Sequence, residues 1–138
     1  MRAKEAIPTG EPLFRRLKAT HVLGGKVLPE AVDLQGTSCA RSAYCQASAL
    51  IEPPLWPAIA QITPEELPRS LGSDPPPKWE FFAIDDPAEG NEWHCEIRVR
   101  REGRSSEDND RKLGKRPPVL REQLKLALAN AFRVVTSV

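Results

Sequence analysis

The chain has 138 residues, 40% hydrophobic and 28% charged, with a formal net charge of +1. That length suits one domain with a core of its own, and the balanced charge excludes a global field favouring nucleic acid or membrane. No apolar run approaches the roughly 20 residues that span a bilayer, and three cysteines without framework spacing point to reduced thiols and a cytosolic setting.

Fourteen prolines cap segment lengths and predict short elements with long connections. The opening, MRAKEAIPTGEP, has no hydrophobic signal region and reads as a flexible tail over 1–12. A single domain is expected over 13–138. LFRRL, Leu13 to Leu17, reads as a helical turn or an extended lead-in. In HVLGGKVLPEAVDL, Gly24-Gly25 is a tight-turn signal flanked by Val22, Leu23, Val27 and Leu28, so two short strands or one bent strand are expected. Thr37 or Ser38 would then cap a helix running towards Ile51, with Ala40, Ala43, Ala47 and Leu50 on one side. Pro53-Pro54 and Pro57 enforce a break.

Ala58 to Ile62 reads as a short buried strand. Thr63-Pro64-Glu65-Glu66 is the clearest local signal, a capping residue followed by Pro and, three residues on, Glu. Trp79 to Ile84 is apolar on both faces, which predicts a strand central to its sheet or covered on both sides. From Trp93 the residues alternate: Trp93, Cys95, Ile97 and Val99 against His94, Glu96, Arg98 and Arg100. Strand side chains have period two, so one face is apolar and the other charged. The polar loop Asp85–Glu92 makes an antiparallel pair the simplest arrangement. Residues 103–116 read as a solvated polar loop. A helix is expected from Pro117 to about Val135, with Leu120, Leu124, Leu128, Ala131 and Val135 at helical spacing. The expected fold is α+β, a mostly antiparallel sheet of about four strands with an amphipathic C-terminal helix packed on it.

LFRRLKATHV, SCARS with Ser38 and Arg41, ITPEELP, and NEWH with His94 occur in that order along residues 13–100. This order resembles that of motifs in short bacterial proteins of unassigned function. The resemblance implies no activity, but it implies that His21, Ser38, Arg41 and His94 matter together.

Each candidate residue has a plain reading beside its sharp one. His94, among Glu96, Arg98 and Arg100, is a solvated surface histidine or an acid/base group beside an anion site. Arg98 and Arg100 suit a phosphate or carboxylate, and Glu96 competes for them. His21 is a satisfied core or capping histidine unless it meets His94, where two imidazoles would act as general acid and base with Arg41 holding developing charge. Ser38 is a helix cap before it is a nucleophile. Cys39 near a helix start would have a lowered pKa. Tyr44 is a stacking or core residue. A zinc site would draw on His21, Cys39, Cys45, His94 and Cys95, but the short cysteine pair is missing and adjacent strand residues point apart. No phosphate-loop pattern is present.

Two functions are expected from this. The first is a non-catalytic bacterial accessory protein with a protein partner and an anion-binding strand face at Arg98 and Arg100. The second is a metal-independent enzyme acting on RNA or a nucleotide through His21, Arg41 and His94. Basic clusters at Arg15-Arg16-Lys18 and Arg111-Lys112 leave nucleic acid as a partner, though not the favoured one. No cofactor, metal or membrane association is expected. Convergence of the two histidines on Arg41 separates the readings.

Overall fold

A computed structural model describes residues 1–72, 77–105 and 113–137. Eight strands and one α-helix follow in the order β1 (Leu13–Leu17), β2 (Val22–Leu23), β3 (Lys26–Val27), β4 (Thr37–Arg41), β5 (Ala58–Ile62), β6 (Trp79–Asp85), β7 (His94–Arg101), α1 (Pro118–Ala131) and β8 (Arg133–Ser137). Six of them form one sheet ordered β6-β7-β4-β1-β5-β8, with every pairing antiparallel. β2 and β3 make a separate two-stranded ribbon around Gly24-Gly25. The fold is α+β, as the sequence predicts.

Period-two alternation divides the sheet into two unlike faces. Leu13, Leu17, Cys39, Ile62, Phe81, Cys95, Ile97 and Val99 are buried on one face. The helix α1 joins this core through Leu124 and Leu128, both fully buried. The other face carries a smaller core of Ala40, Leu50 and Ile59, with Phe14, Ile51 and Trp93 packed on it. Chain between β4 and β5 supplies that partial cover, including a 3₁₀ turn at Ala47–Leu50. The Thr63 signal is realised as a 3₁₀ turn at Pro64–Glu66, where the Thr63 amide donates to Glu66 Oε1 at 2.9 Å.

Several expectations are corrected. The helix predicted to start at Thr37 or Ser38 is strand β4, because this segment gains partners on both sides, β1 and β7. Thr37 instead ties the preceding turn, accepting from the Asp33 amide and donating to the Asp33 carbonyl, both at 2.9 Å. The C-terminal helix stops at Ala131 rather than near Val135. Phe132 is extended (φ −74°, ψ 147°), and the β-branched Val134-Val135-Thr136 that follow belong to β8, paired with β5. β6 lies at a sheet edge and is not central. Its second apolar face is shielded in part by Arg100, whose guanidinium lies 4.0 Å from the Phe82 ring centroid. Six strands in the main sheet exceed the four expected. Of the polar loop, 106–112 lies outside the described residues. Leu113 within the same stretch is fully buried and opens a 3₁₀ turn at Leu113–Lys115.

The expected tail, 1–12, runs against the end of the sheet. Arg2 makes a bidentate pair with Asp85, and Glu5 and Glu11 accept from Arg41.

Candidate functional site

The β4–β7 register places Ala40 beside His94 and Ser38 beside Glu96. All four therefore face away from α1. His94 stands at the start of β7, where the loop after β6 folds back and the Asp86 amide donates to the His94 carbonyl at 3.1 Å. This return brings Asp86 alongside the imidazole. His94 Nδ1 is 3.0 Å from the Asp86 carbonyl oxygen and 3.1 Å from Asp86 Oδ2. His94 Nε2 is 3.1 Å from Ser38 Oγ. Both ring nitrogens thus have partners, and the imidazole side chain is 17% exposed.

Beside this trio opens a cleft of about 270 Å3. Phe14, Leu50, Trp56 and Trp93 give it apolar walls, and Arg16 of β1 gives it positive charge, while Arg15, next in the strand, turns its side chain to the other face. The Arg16 guanidinium lies 4.7 Å from the Trp56 ring centroid, a cation–π distance, with Lys18 also near at 5.7 Å. Arg16 has one loose carboxylate partner, exposed Glu52 at 3.6 Å, and such surface pairs contribute little. Arg15 donates to the carbonyls of Ala31 and Ser38, and among the described residues no carboxylate pairs with it.

The residues singled out from sequence fall in three places. His94 and Ser38 line the cleft, and His21 and Arg41 do not. His21 closes the 3₁₀ turn Ala19–His21, where its Nδ1 accepts the Lys18 amide at 3.1 Å. Burial lowers its pKa, and the neighbouring Arg15 and Lys18 charges lower it further. Arg41 points to the helix side of the sheet, 2% exposed. It donates to Glu11 at 2.8 and 2.7 Å and to Glu5 at 2.6 Å, and lies 3.3 Å from Asp85. The hydrogen bonds to Glu11 raise its pKa, outweighing the opposing effect of burial. Its Nε, Nη1 and Nη2 all donate to carboxylates, and these bonds hold the N-terminal segment against the sheet.

Arg98 and Arg100, expected to hold an anion, each bond a carboxylate: Arg98 to Glu96 and Arg100 to Glu80, both at 3.0 Å. Gly36, at φ +133°, lies beneath that Glu96 carboxylate, and a Cβ there would fall 2.2 Å from Glu96 Oε1. Cys39 and Cys95 are buried on the opposite face from His94, and burial pushes the Cys39 thiol up to about 12 and raises that of Cys95. Neither is an activated nucleophile, and neither can share a metal with His94. Asp86, His94 and Glu96 do offer ligand atoms within 4.8 Å of one another. A cation there would have to displace the His94–Asp86 and Glu96–Arg98 contacts.

Asp86, Arg16, Trp56 and Trp93 escaped the sequence reading as site residues. Trp93 was placed with Cys95 and Val99, but it precedes β7 and packs with Phe14 and Ala40 on the cleft face. The basic run Arg15-Arg16-Lys18 was a usable signal, and its proximity to Trp56 was not. Among the described residues, no helix is long and apolar enough to cross a membrane. No family model, curated protein or solved structure matches this chain.

Proposed function

We propose that this chain is an accessory binding protein whose cleft beside His94 takes a small anionic ligand carrying a flat ring, in the class of a mononucleotide or aryl phosphate. One observation supports this above the rest: Arg16 shares a single cleft with Trp56 and Trp93. Guanidinium groups suit phosphate and carboxylate, and indole faces suit a planar ring. The volume, about 270 Å3, sits near the lower end for ligand pockets and fits one ring-bearing molecule better than an oligomer. The anion site thus moves from Arg98 and Arg100, which already hold carboxylates, to the mouth formed by β1. The reading as an RNA-directed enzyme built on His21, Arg41 and His94 lacks comparable support, because two of the three lie outside the cleft.

Tryptophan fluorescence tests this. Adenosine monophosphate and phenyl phosphate should quench emission saturably, less so at high salt. Arg16→Ala should weaken binding about tenfold, the scale of one hydrogen bond to a charged group. Trp56→Ala should remove the advantage of either compound over inorganic phosphate, since stacking contributes about 1 to 3 kcal/mol. Absence of saturable quenching, or affinities indifferent to Arg16→Ala, would refute the assignment.

A further inference from the structure

The partners of His94 permit one neutral tautomer. Nδ1 faces two acceptors, Asp86 Oδ2 at 3.1 Å and the Asp86 carbonyl oxygen at 3.0 Å, so Nδ1 carries the proton. Nε2 is left with its lone pair, and the group before it is Ser38 Oγ at 3.1 Å. The serine hydroxyl therefore donates to the imidazole. Ser38 is exposed and lines the cleft, so the hydroxyl that is polarised is also one a ligand can reach. Its position is fixed by pairing with Glu96 of β7 and, on the β1 side, by the Arg15 side chain, which donates to the Ser38 carbonyl at 2.7 Å. Hydroxyl, imidazole and carboxylate in this connection are the parts of a nucleophilic relay, which is defined by geometry and not by chain order.

We propose that Ser38 is a nucleophile, with His94 as its general base and Asp86 as the group that orients the ring, acting on small carboxylic esters that carry a ring. This goes beyond the binding reading and shares with it only the cleft. Ser38 Oγ attacks the ester carbonyl carbon while its proton passes to His94 Nε2. The bond to the alcohol oxygen breaks, and His94 returns that proton to the departing alcohol. Water then enters, gives a proton to His94 and adds to the acyl carbon. Release of the acid returns the proton to Ser38 Oγ. Water is the only co-reactant, and nothing is oxidised or reduced. Arg16 and Asn91 line the same cleft and carry N–H donors for the negative charge that develops on the carbonyl oxygen. Phe14 and Trp56 supply the walls for the ring. The neighbouring thiol of Cys39, buried on the other face, does not compete for the ester.

The test is labelling with diisopropyl fluorophosphate, which is small and uncharged and so does not depend on recognition of an anion. Intact mass and peptide mapping should show one adduct, on Ser38. It should vanish in Ser38→Ala and form about a hundredfold more slowly, or slower still, in His94→Gln. Asp86→Asn should slow it by less. With p-nitrophenyl acetate the wild-type protein should release nitrophenol and carry an acetyl group on Ser38. No Ser38 adduct with excess reagent overturns the proposal, and so does an unchanged rate in His94→Gln. Should His94→Gln fail to fold, selectivity within the wild-type chain decides, because Ser48 is also exposed: equal labelling of Ser38 and Ser48 overturns the proposal. Quenching by adenosine monophosphate without labelling would leave the binding reading standing and sink this one, and labelling without quenching would do the reverse.

Discussion

Two polar clusters lie back to back across the β4–β7 strand pair, and chain neighbours lead into them. Asp85 goes to the helix side and meets Arg2 and Arg41, while Asp86 goes to the other side and meets His94. The Arg41 cluster is closed. Its side chain is 2% exposed, that of Asp85 is 0% exposed, and three carboxylates are shared between two guanidinium groups. The His94 cluster is open, ending in an exposed serine at a cleft. A network centred on a buried guanidinium fixes geometry, whereas a network with one reachable terminus is open to something that arrives. Neighbouring aspartates thus lead into unlike networks, Asp85 into one centred on a buried guanidinium and Asp86 into one that ends at an exposed hydroxyl.

Substitutions should separate the clusters by the size of their effect on stability. Arg41→Ala removes the cation at the centre of the closed cluster and leaves Asp85 and Glu11 with less compensation. It should cost about 3 to 5 kcal/mol, the scale for breaking a buried pair on one side, read as a fall in the urea midpoint. A loss below 1 kcal/mol would mean that water replaces the guanidinium and that the cluster is open after all.

Acid should act on the same side. Burial works to raise the Asp85 pKa, but hydrogen bonds from Arg2, the Glu5 amide and Arg41 prevail, and the net shift is downward from 3.8. A depressed carboxylate pKa stabilises the fold above the ordinary value and loses that contribution as pH falls through the depressed one. The urea midpoint should hold near neutrality, then drop below about pH 4, and drop less steeply in Arg41→Ala. Parallel acid profiles for the two proteins would break the assignment.

The smallest effect belongs to the open cluster. Ser38→Ala removes an exposed hydroxyl and should change stability by no more than about 0.5 kcal/mol. A cost several times larger would show Ser38 holding the β4–β7 pair together, and would erase the contrast between the faces.

What the sequence disclosed depended on how local the deciding interaction was. The alternation from His94 to Val99 was legible because only one side of β7 is packed in the main core. The Thr63 turn was legible because its donor and acceptor lie within four residues. Ser38 was not, because the same residues read locally as a helix cap and became a strand only through β1 and β7. Val134 and Val135 misled for a similar reason, as their helical spacing was overridden by pairing with β5. Asp86 stood among Asp85, Glu89 and Glu92 with nothing to set it apart, since its partner is chosen by the fold of the loop. Leu113 was the lone apolar residue of a polar stretch, and it is buried.

The strand order has a consequence for how the protein comes to exist. In β6-β7-β4-β1-β5-β8, only β6 and β7 join adjacent stretches of chain, and the remaining pairings close long loops. Loops of that kind lose entropy before their contacts form, so folding is expected to be led by the β6–β7 hairpin and limited by the arrival of β1 and β4. Ser38 and His94 lie 56 positions apart and meet only in that late step. A ribosome that has released the first half of this chain has made the serine but no base to activate it, so any reactivity of that serine would appear only with the finished sheet.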